Sequence, residues 1–431
     1  MTAARIVVVG GGFAGTNLVK ALKGKLPPGA SLTLVSDESY TCFSPMLPEV
    51  VGASIFPEQV VAPIREILRP DATHRFVMGR VSRIDTAARW LQCESLAGSY
   101  RIAYDELVLA VGNRARLDLI PGMQQHALPL KTMGDAMEIR NRALRRVAQI
   151  ELEANPKKRA ALGSFLVIAG GFSGVEVAGE LADCIRSLKR YYPAVRPEEL
   201  AVTIIQNIDG LLPELPPALG RSARRSLQDR GVRVLLRAQA TQIGADGVWV
   251  KTDEADRASL VSGETVICTI GTRANPLIEG CGLSTERGRI RTASDFRVEG
   301  VGHVWALGDC ALVINRLDQR PSPPTAQFAV RQARICARNL LCHLAARPLE
   351  NFCYRTRGMM ASIGRRRGVA QVFGVHLAGL PAWLLWRAYY LLQMPTLGRK
   401  VRIYVEWTWG MFFPNDITHL RFTRSHELDR D

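Results

Sequence analysis

Glycines at fixed spacing carry the plainest chemistry in this chain. Gly10, Gly12 and Gly15 follow the β-branched run at 5–9, and this spacing lets bare backbone come against a pyrophosphate. Gly10 is expected to allow the tight turn out of the strand, Gly12 the close approach of the anion, and Gly15 the packing of helix on strand. Phe13 and Ala14 open that helix, whose free N–H groups and positive dipole end face the ligand. A second copy at 165–174 has Ala169 at the first glycine position, then Gly171 and Gly174. Alanine costs little there as long as the turn keeps a negative φ. One such spacing is weak evidence; two in one chain predict two dinucleotides.

Side chains at the strand ends choose between nucleotides. After the second strand, at 31–35, Ser36 stands where an acid would hold an adenosine ribose, and Asp37 follows, either serving that ribose or lying as a solvated turn carboxylate. In the second copy the position is Gln206, a neutral amide that can bond a ribose hydroxyl without repelling a 2′-phosphate. Weak selection between NADH and NADPH is therefore expected, and Asn207 and Asp209 offer no arginine for that phosphate. Glu176, read onto the first turn of the second helix, either complements the helix dipole or hydrogen-bonds a nicotinamide carboxamide.

With 431 residues and 47% hydrophobic content, the chain can build two or three domains with full cores. Nine cysteines without a CxxC spacing or a secretory segment read as reduced thiols, and no metal site is expected. Cys42 has Leu47 where the partner of a CxxxxC redox pair would stand, so thiol-disulfide chemistry is disfavoured and Cys42 reads as packed. A net charge of +16 demands an anionic partner. Without a zinc-ligand spacing or an RNA-binding aromatic motif, nucleic acid is not expected, which leaves anionic cofactors and an anionic membrane surface.

These residues need strands and helices to hold them. A crossover helix is predicted at 13–23, stopped by Pro27, Pro28 and Gly29, and antiparallel strands within 75–85 and 89–104. Residues 42–49, CFSPMLPE, read as too proline-rich for a helix, and Asn155-Pro156 as the opening of a loop after an arginine-rich helix ending near 153. The strand at 201–205, a helix to 230, the strand at 231–235 and the run 265–276 complete the second nucleotide-binding unit. The apolar segment 377–394 is interrupted by Pro381 and Arg387, too much so to span a bilayer. Trp383, Trp386, Tyr389 and Tyr390 beside Arg399, Lys400 and Arg402 read as interfacial rings and cations lying on a membrane, with an amphipathic dimer helix as the alternative.

The run LVLAVG at 107–112, with Val111 for the usual threonine, and Gly308-Asp309 after the strand at 302–307 join the two glycine turns in resembling the flavoprotein superfamily with two dinucleotide folds. The helix from Ala326 is similar to that of type II NADH dehydrogenases, the single-subunit flavoprotein NADH:quinone oxidoreductases. Their quinone-site motif AQxAxQ is matched at Ala326, Gln327 and Ala329, with Arg331 for the last glutamine and Gln332 beside it. Stretches 360–364, 379–383, 385–389 and 407–413 look like the same family's C-terminal region, so the resemblance spans nearly the whole chain.

The resemblance implies an α/β fold with two Rossmann-type dinucleotide-binding domains. An FAD domain at 1–115 and 276–346 would be split by an NAD(P)H domain at 116–275 and followed by a membrane-apposed region at 347–431. It implies FAD bordered by Gly10, Gly12, Phe13, Ala14, Gly15, Asp37, Val81, Gly112, Gly308, Asp309 and Ala326. NADH or NADPH would meet Gly171, Gly174, Gln206, Gly271 and Glu176, and a quinone would meet Gln327 and Arg331. The implied activity is electron transfer from NAD(P)H through FAD to a membrane quinone without proton pumping, in a respiratory chain, by a peripheral protein on the cytoplasmic side of the cell membrane, as monomer or homodimer. A soluble NAD(P)H:acceptor reductase and a sulfide:quinone oxidoreductase are the alternatives. The latter needs cysteines on both sides of the flavin, and Cys310 and Cys353 show no matching pattern.

Overall fold

The computed structural model describes residues 4–253, 256–413 and 418. Residues 1–3, part of the expected direct run into the first strand, lie outside them. The chain folds as two compact units, one of Met1–Phe43, Val61–Arg114 and Thr272–Thr356, the other of Ser44–Val60, Ala115–Gly271 and Arg357–Asp431.

The first unit is built on an eight-stranded sheet. Its first strand, Arg5–Val9, lies between Ser31–Ser36 and Glu106–Leu109, both parallel to it. Such a strand is covered on both faces, which is why Ile6 to Val9 read as a continuous apolar run and are all buried. Val301–Ala306 returns late in the chain to pair with Glu106–Leu109, closing the sheet with residues far apart in sequence. The other side continues through His74–Asp85, parallel to Ser31–Ser36, into the antiparallel strands Trp90–Ser95 and Gly98–Ala103. Helices Phe13–Leu22 and Ala326–Leu344 pack on one another.

A five-stranded parallel sheet organises the second unit, with Ser164–Ile168 between Ala201–Ile205 and Thr265–Cys268. Beside it lie the antiparallel strands Ala238–Gly244, Gly247–Thr252 and Ser259–Ser262. A second antiparallel set, Gly358–Ser362, Gly368–Val372 and Val375–Gly379, leads to helices Leu380–Gln393 and Leu397–Phe412. Among the described residues no helix is long and apolar enough to cross a membrane.

Three prolines depart from the sequence expectation for one reason. A helix, Leu47–Val51, begins within residues 42–49 with proline in its first turn; Pro156–Leu162 is a helix where a loop is predicted; and Pro381 starts Leu380–Gln393 instead of interrupting it. A first-turn residue has no intrahelical use for its N–H, so proline is tolerated and its fixed φ is already helical. At the second of these, the Asn155 side chain caps the amides of Lys157 and Lys158.

Candidate functional site

The first glycine turn is closed to any side chain in two places and open in a third. Gly10 has φ +112, and a Cβ there would lie 2.3 Å from the Ala110 carbonyl oxygen; a Cβ on Gly15 would lie 1.9 Å from that of Gly10. At Gly12 a Cβ would meet nothing within 4 Å, which leaves space in front of the backbone. Gly12 is also the N-cap of Phe13–Leu22 with no side-chain cap, and the first turn holds no acid, so its amides face outward for an anion. Gly11, which the motif does not specify, is crowded as well, since a Cβ there would stand 2.5 Å from Ser36 Oγ.

Later residues complete this cradle. Gly308, at φ +75, opens the 3₁₀ turn Gly308–Cys310, and a Cβ on it would come 3.0 Å from that of Ala14. The turn holding Asp309 therefore stands against the first helix. Its Gly308 N–H donates to Gln332 Oε1 at 2.8 Å, a buried bond that gives a role to the glutamine displaced by one position from the family motif. Asp37 meets Arg114 at 3.4 Å, both more than two-fifths exposed. Gly112 has φ +63, while Val81 is buried in the core at a bulge in its strand. An uncapped helix, a backbone open at Gly12 and a glycine-led turn beside Ala14 fit a pyrophosphate-bearing flavin.

The second turn has the same form with a costlier residue. Ala169 has φ +96, against the negative φ that would make alanine cheap, and a Cβ on Gly174 would lie 1.9 Å from the Ala169 oxygen, as at the first copy. The demand for this turn overrides the preference of alanine, at a cost of about 1–3 kcal/mol. Gly171 caps Phe172–Leu188 without a side-chain bond. Gln206 is buried and fastened to the turn, accepting from the Gly170 N–H at 3.0 Å and donating to the Gly210 carbonyl at 3.2 Å. Gly271 has φ +76 and its carbonyl accepts from the Arg116 N–H at 3.3 Å. An arginine does reach the strand end: Arg237 pairs with Asp209 at 2.6 Å, both more than half exposed. Sequence reading missed it because strand pairing, not proximity in the chain, brings it there.

Glu176 lies beyond the first turn of its helix, which contains no acid, so complementing the dipole is not its role. It is buried, its Oε1 accepts from the Ser362 N–H at 3.1 Å, and burial pushes its carboxyl up to about 8. Two further buried carboxyls share its surroundings. Glu49 accepts from Trp407 Nε1 at 3.2 Å and faces Arg387 at 3.9 Å, and Glu180 accepts from Ser54 Oγ at 2.8 Å. Burial raises both, and the Arg387 guanidinium opposes that rise. Arg387 lies 3.8 Å from the Trp383 ring centroid and 4.7 Å from that of Trp407. Trp383, against that cation, and Trp386, packed on Tyr390 and Trp407, are consequently core residues, not the interfacial rings expected of them. Among the described residues no group of three or more His, Cys, Asp or Glu is placed to hold a metal.

Residues 4–333 match the pyridine nucleotide-disulphide oxidoreductase family. The chain is 30% identical over 379 residues to the type II NADH:quinone oxidoreductase of Staphylococcus aureus (strain NCTC 8325 / PS 47), covering 88% of this chain and 92% of that one. It belongs to the type II NADH:quinone oxidoreductases. The Mycobacterium tuberculosis relative Ndh, of the same name, is 29% identical over 420 residues, 94% of this chain and 87% of its own. The fold is shared with NDH2 from Plasmodium falciparum, solved in complex with NADH, at a TM-score of 0.89 and 17% identity over 96% of this chain and 99% of that one.

In this type II chain the helix expected to border the quinone begins at Ala326. Gln327 and Arg331 are both half-buried, and the Arg331 guanidinium donates to the Gln327 carbonyl at 3.2 Å and stands 5.1 Å from the Tyr354 ring centroid. The motif glutamine is thus replaced by a cation held between an aromatic face and its own helix, while Gln332 points into the core.

Proposed function

We infer that this chain oxidises NADH, or NADPH, and passes the electrons through FAD to a membrane quinone without pumping protons. The observation that carries the reading is the pair of uncapped helix N-termini behind glycine turns of one shape, in a chain 30% identical over most of its length to a type II NADH:quinone oxidoreductase. Bound FAD supplies the two-electron chemistry, accepting hydride from nicotinamide and giving electrons to quinone. The protein's part is to bind and orient. The Gly10, Gly12 and Gly15 turn takes the flavin pyrophosphate, Asp309 its ribityl and phosphate end, and the Gly171 and Gly174 turn the pyrophosphate of NAD(P)H. Glu176 is assigned to the nicotinamide end, and Gln327 and Arg331 to the quinone.

Peripheral attachment to an anionic surface on the cytoplasmic side of the membrane is part of this reading. What supports it is the net charge of +16 and an apolar stripe on Leu397–Phe412, where Leu397, Val401, Val405 and Phe412 are 76%, 54%, 58% and 77% exposed. A second copy of the chain is the other partner that could cover the stripe. A sulfide-oxidising reaction is disfavoured at the cysteines: Cys310 is buried, donates to the Leu109 and Leu307 carbonyls, and has its thiol pushed up to about 11 by burial. The deciding experiment is anaerobic reduction of the yellow protein by NADH and by NADPH, followed by reoxidation with quinone. Reoxidation no faster than by dioxygen would leave the soluble-acceptor reading in its place.

A further inference from the structure

Away from its own glycine turn, the second unit contains an open cavity of about 580 Å³. Five guanidinium groups line it, Arg186, Arg230, Arg365, Arg366 and Arg367, against two carboxylates, Asp183 and Asp229. Three consecutive arginines come from the turn between strands Gly358–Ser362 and Gly368–Val372. Gly364 makes room there, since at φ +81 a Cβ on it would stand 2.5 Å from Asp183 Oδ2 and 2.6 Å from Arg230 Nη1.

The two carboxylates are already engaged. Asp183 pairs with Arg230 and accepts from the Arg365 N–H at 2.7 Å, and Asp229 pairs with Arg367 at 3.1 Å. Among the described residues the other guanidiniums meet only backbone oxygen. Arg186 donates to the Arg230 carbonyl at 2.6 Å, and Arg365 and Arg366 to that of Met411 at 2.7 and 3.4 Å. Arg230 has a side chain only 7% exposed, yet its Nε has no partner. A surplus of three positive charges with a buried unpaired donor calls for an anion with several acceptor oxygens, and forked guanidinium donors suit phosphate.

The setting selects the source of that phosphate. Met411 belongs to the last turn of Leu397–Phe412, so Arg365 and Arg366 bind the negative end of the helix whose apolar stripe is exposed among the described residues. On the same turn Trp409 and Phe412 are 61% and 77% exposed, and the Trp409 and Phe413 rings stack at 3.8 Å. Phosphate-binding cations bordered by exposed aromatic and aliphatic surface match a molecule with an anionic head and an apolar tail. We propose that the Arg186, Arg230, Arg365 and Arg366 cavity binds the headgroup phosphate of an anionic glycerophospholipid at the membrane surface. This rests on the reading of peripheral membrane attachment given above.

The test is flotation of the full-length holoenzyme with phosphatidylcholine vesicles, with and without phosphatidylglycerol. The variants are Arg365→Ala/Arg366→Ala, Arg365→Lys/Arg366→Lys, and Arg75→Ala/Arg80→Ala, which removes equal charge from exposed positions in the other unit. The first is expected to lose roughly thirtyfold of its preference for anionic vesicles, about fivefold for each cation lost. The lysine pair, retaining charge without the fork, falls between it and the parent. Flavin reduction by NADH stays unchanged in all of them and reports that each is folded. Equal losses in the Arg75/Arg80 variant would overturn the pocket in favour of diffuse charge, and so would an alanine pair that binds like the parent. Millimolar inorganic phosphate that raises the parent's melting temperature through Arg365 and Arg366, while the anionic preference is unaltered, would overturn the lipid assignment. A parent that floats with neither vesicle would sink the membrane reading itself.

Discussion

Arg331 is where this chain departs most from the resemblance, and its position gives the departure a testable meaning. Packed on Tyr354 and bonded to the Gln327 carbonyl, it would, in the proposed function, offer a fixed cation to a quinone carbonyl that gains negative charge on reduction. Gln327→Ala and Arg331→Ala are each expected to slow stopped-flow reoxidation by quinone roughly tenfold or more, with anaerobic reduction by NADH within about twofold of the parent. An equal loss in both half-reactions would remove these residues from the quinone side. Nucleotide choice is the second residue-scale question. Gln206 carries no charge to repel a 2′-phosphate and Arg237, after the neighbouring strand, pairs with Asp209 on the Gln206 loop, so kcat/KM for NADH and NADPH should agree within roughly tenfold, about 1.4 kcal/mol. Arg237→Ala should lower the NADPH value selectively, and an unchanged ratio would place the ribose elsewhere. The glycines were legible because a missing side chain at a fixed spacing has few other uses. The bonds of Gln332, Gln206 and Arg237 were not, because their partners Gly308, Gly170 and Asp209 are brought to them by tertiary folding.

Among the elements, the strands and crossover helices of both sheets were the more legible, their apolar runs being long and their turns marked by glycine. Short helices led by Pro48, Pro156 and Pro381 were misread because proline stops a helix everywhere except at its beginning. The helix Phe172–Leu188 hid more, since a glutamate in an otherwise apolar sequence does not announce that it is buried. Glu176 has its proton affinity raised by burial from 4.5 to about 8. The folded protein therefore holds this proton where the unfolded chain releases it, so the stabilisation is complete below pH 4.5 and is lost as pH rises through about 8. Glu176→Gln keeps a neutral acceptor for the Ser362 N–H. Its melting temperature should exceed the parent's by a few degrees above pH 8 and fall less steeply across the interval. Parallel melting curves for the two proteins would show that Glu176 is ionised in the folded state.

At the scale of the whole chain, composition gave a charge in search of an anion but not the residues that face it. The aromatic cluster at 383–390 suggested a membrane face. The structure buries Trp383 against Arg387 and Trp386 against Trp407, and turns outward the helix after them, whose opposite side buries Ile403 and Trp407. Buried and exposed apolar residues have the same composition, and only the packing partners Glu49 and Arg387 distinguish them. The difference changes the experiment. Deleting the C-terminal region would strip Trp407 from the buried Glu49 and damage the fold, whereas Val401→Ser, Val405→Ser and Phe412→Ser together alter only the exposed stripe. Attachment through that stripe combines apolar burial, worth about 25 cal/mol for each Å² removed from water, with screened attraction of basic side chains to the surface. The parent should accordingly pellet with membranes, be released by alkali or detergent and partly by salt, and retain its flavin when released. The triple variant should remain in the supernatant and be reduced by NADH at the parent's rate. If it pellets as the parent does, the stripe is not the anchor; if it stays in solution while the parent changes from dimer to monomer upon the same substitutions, the stripe is a contact between copies of the chain.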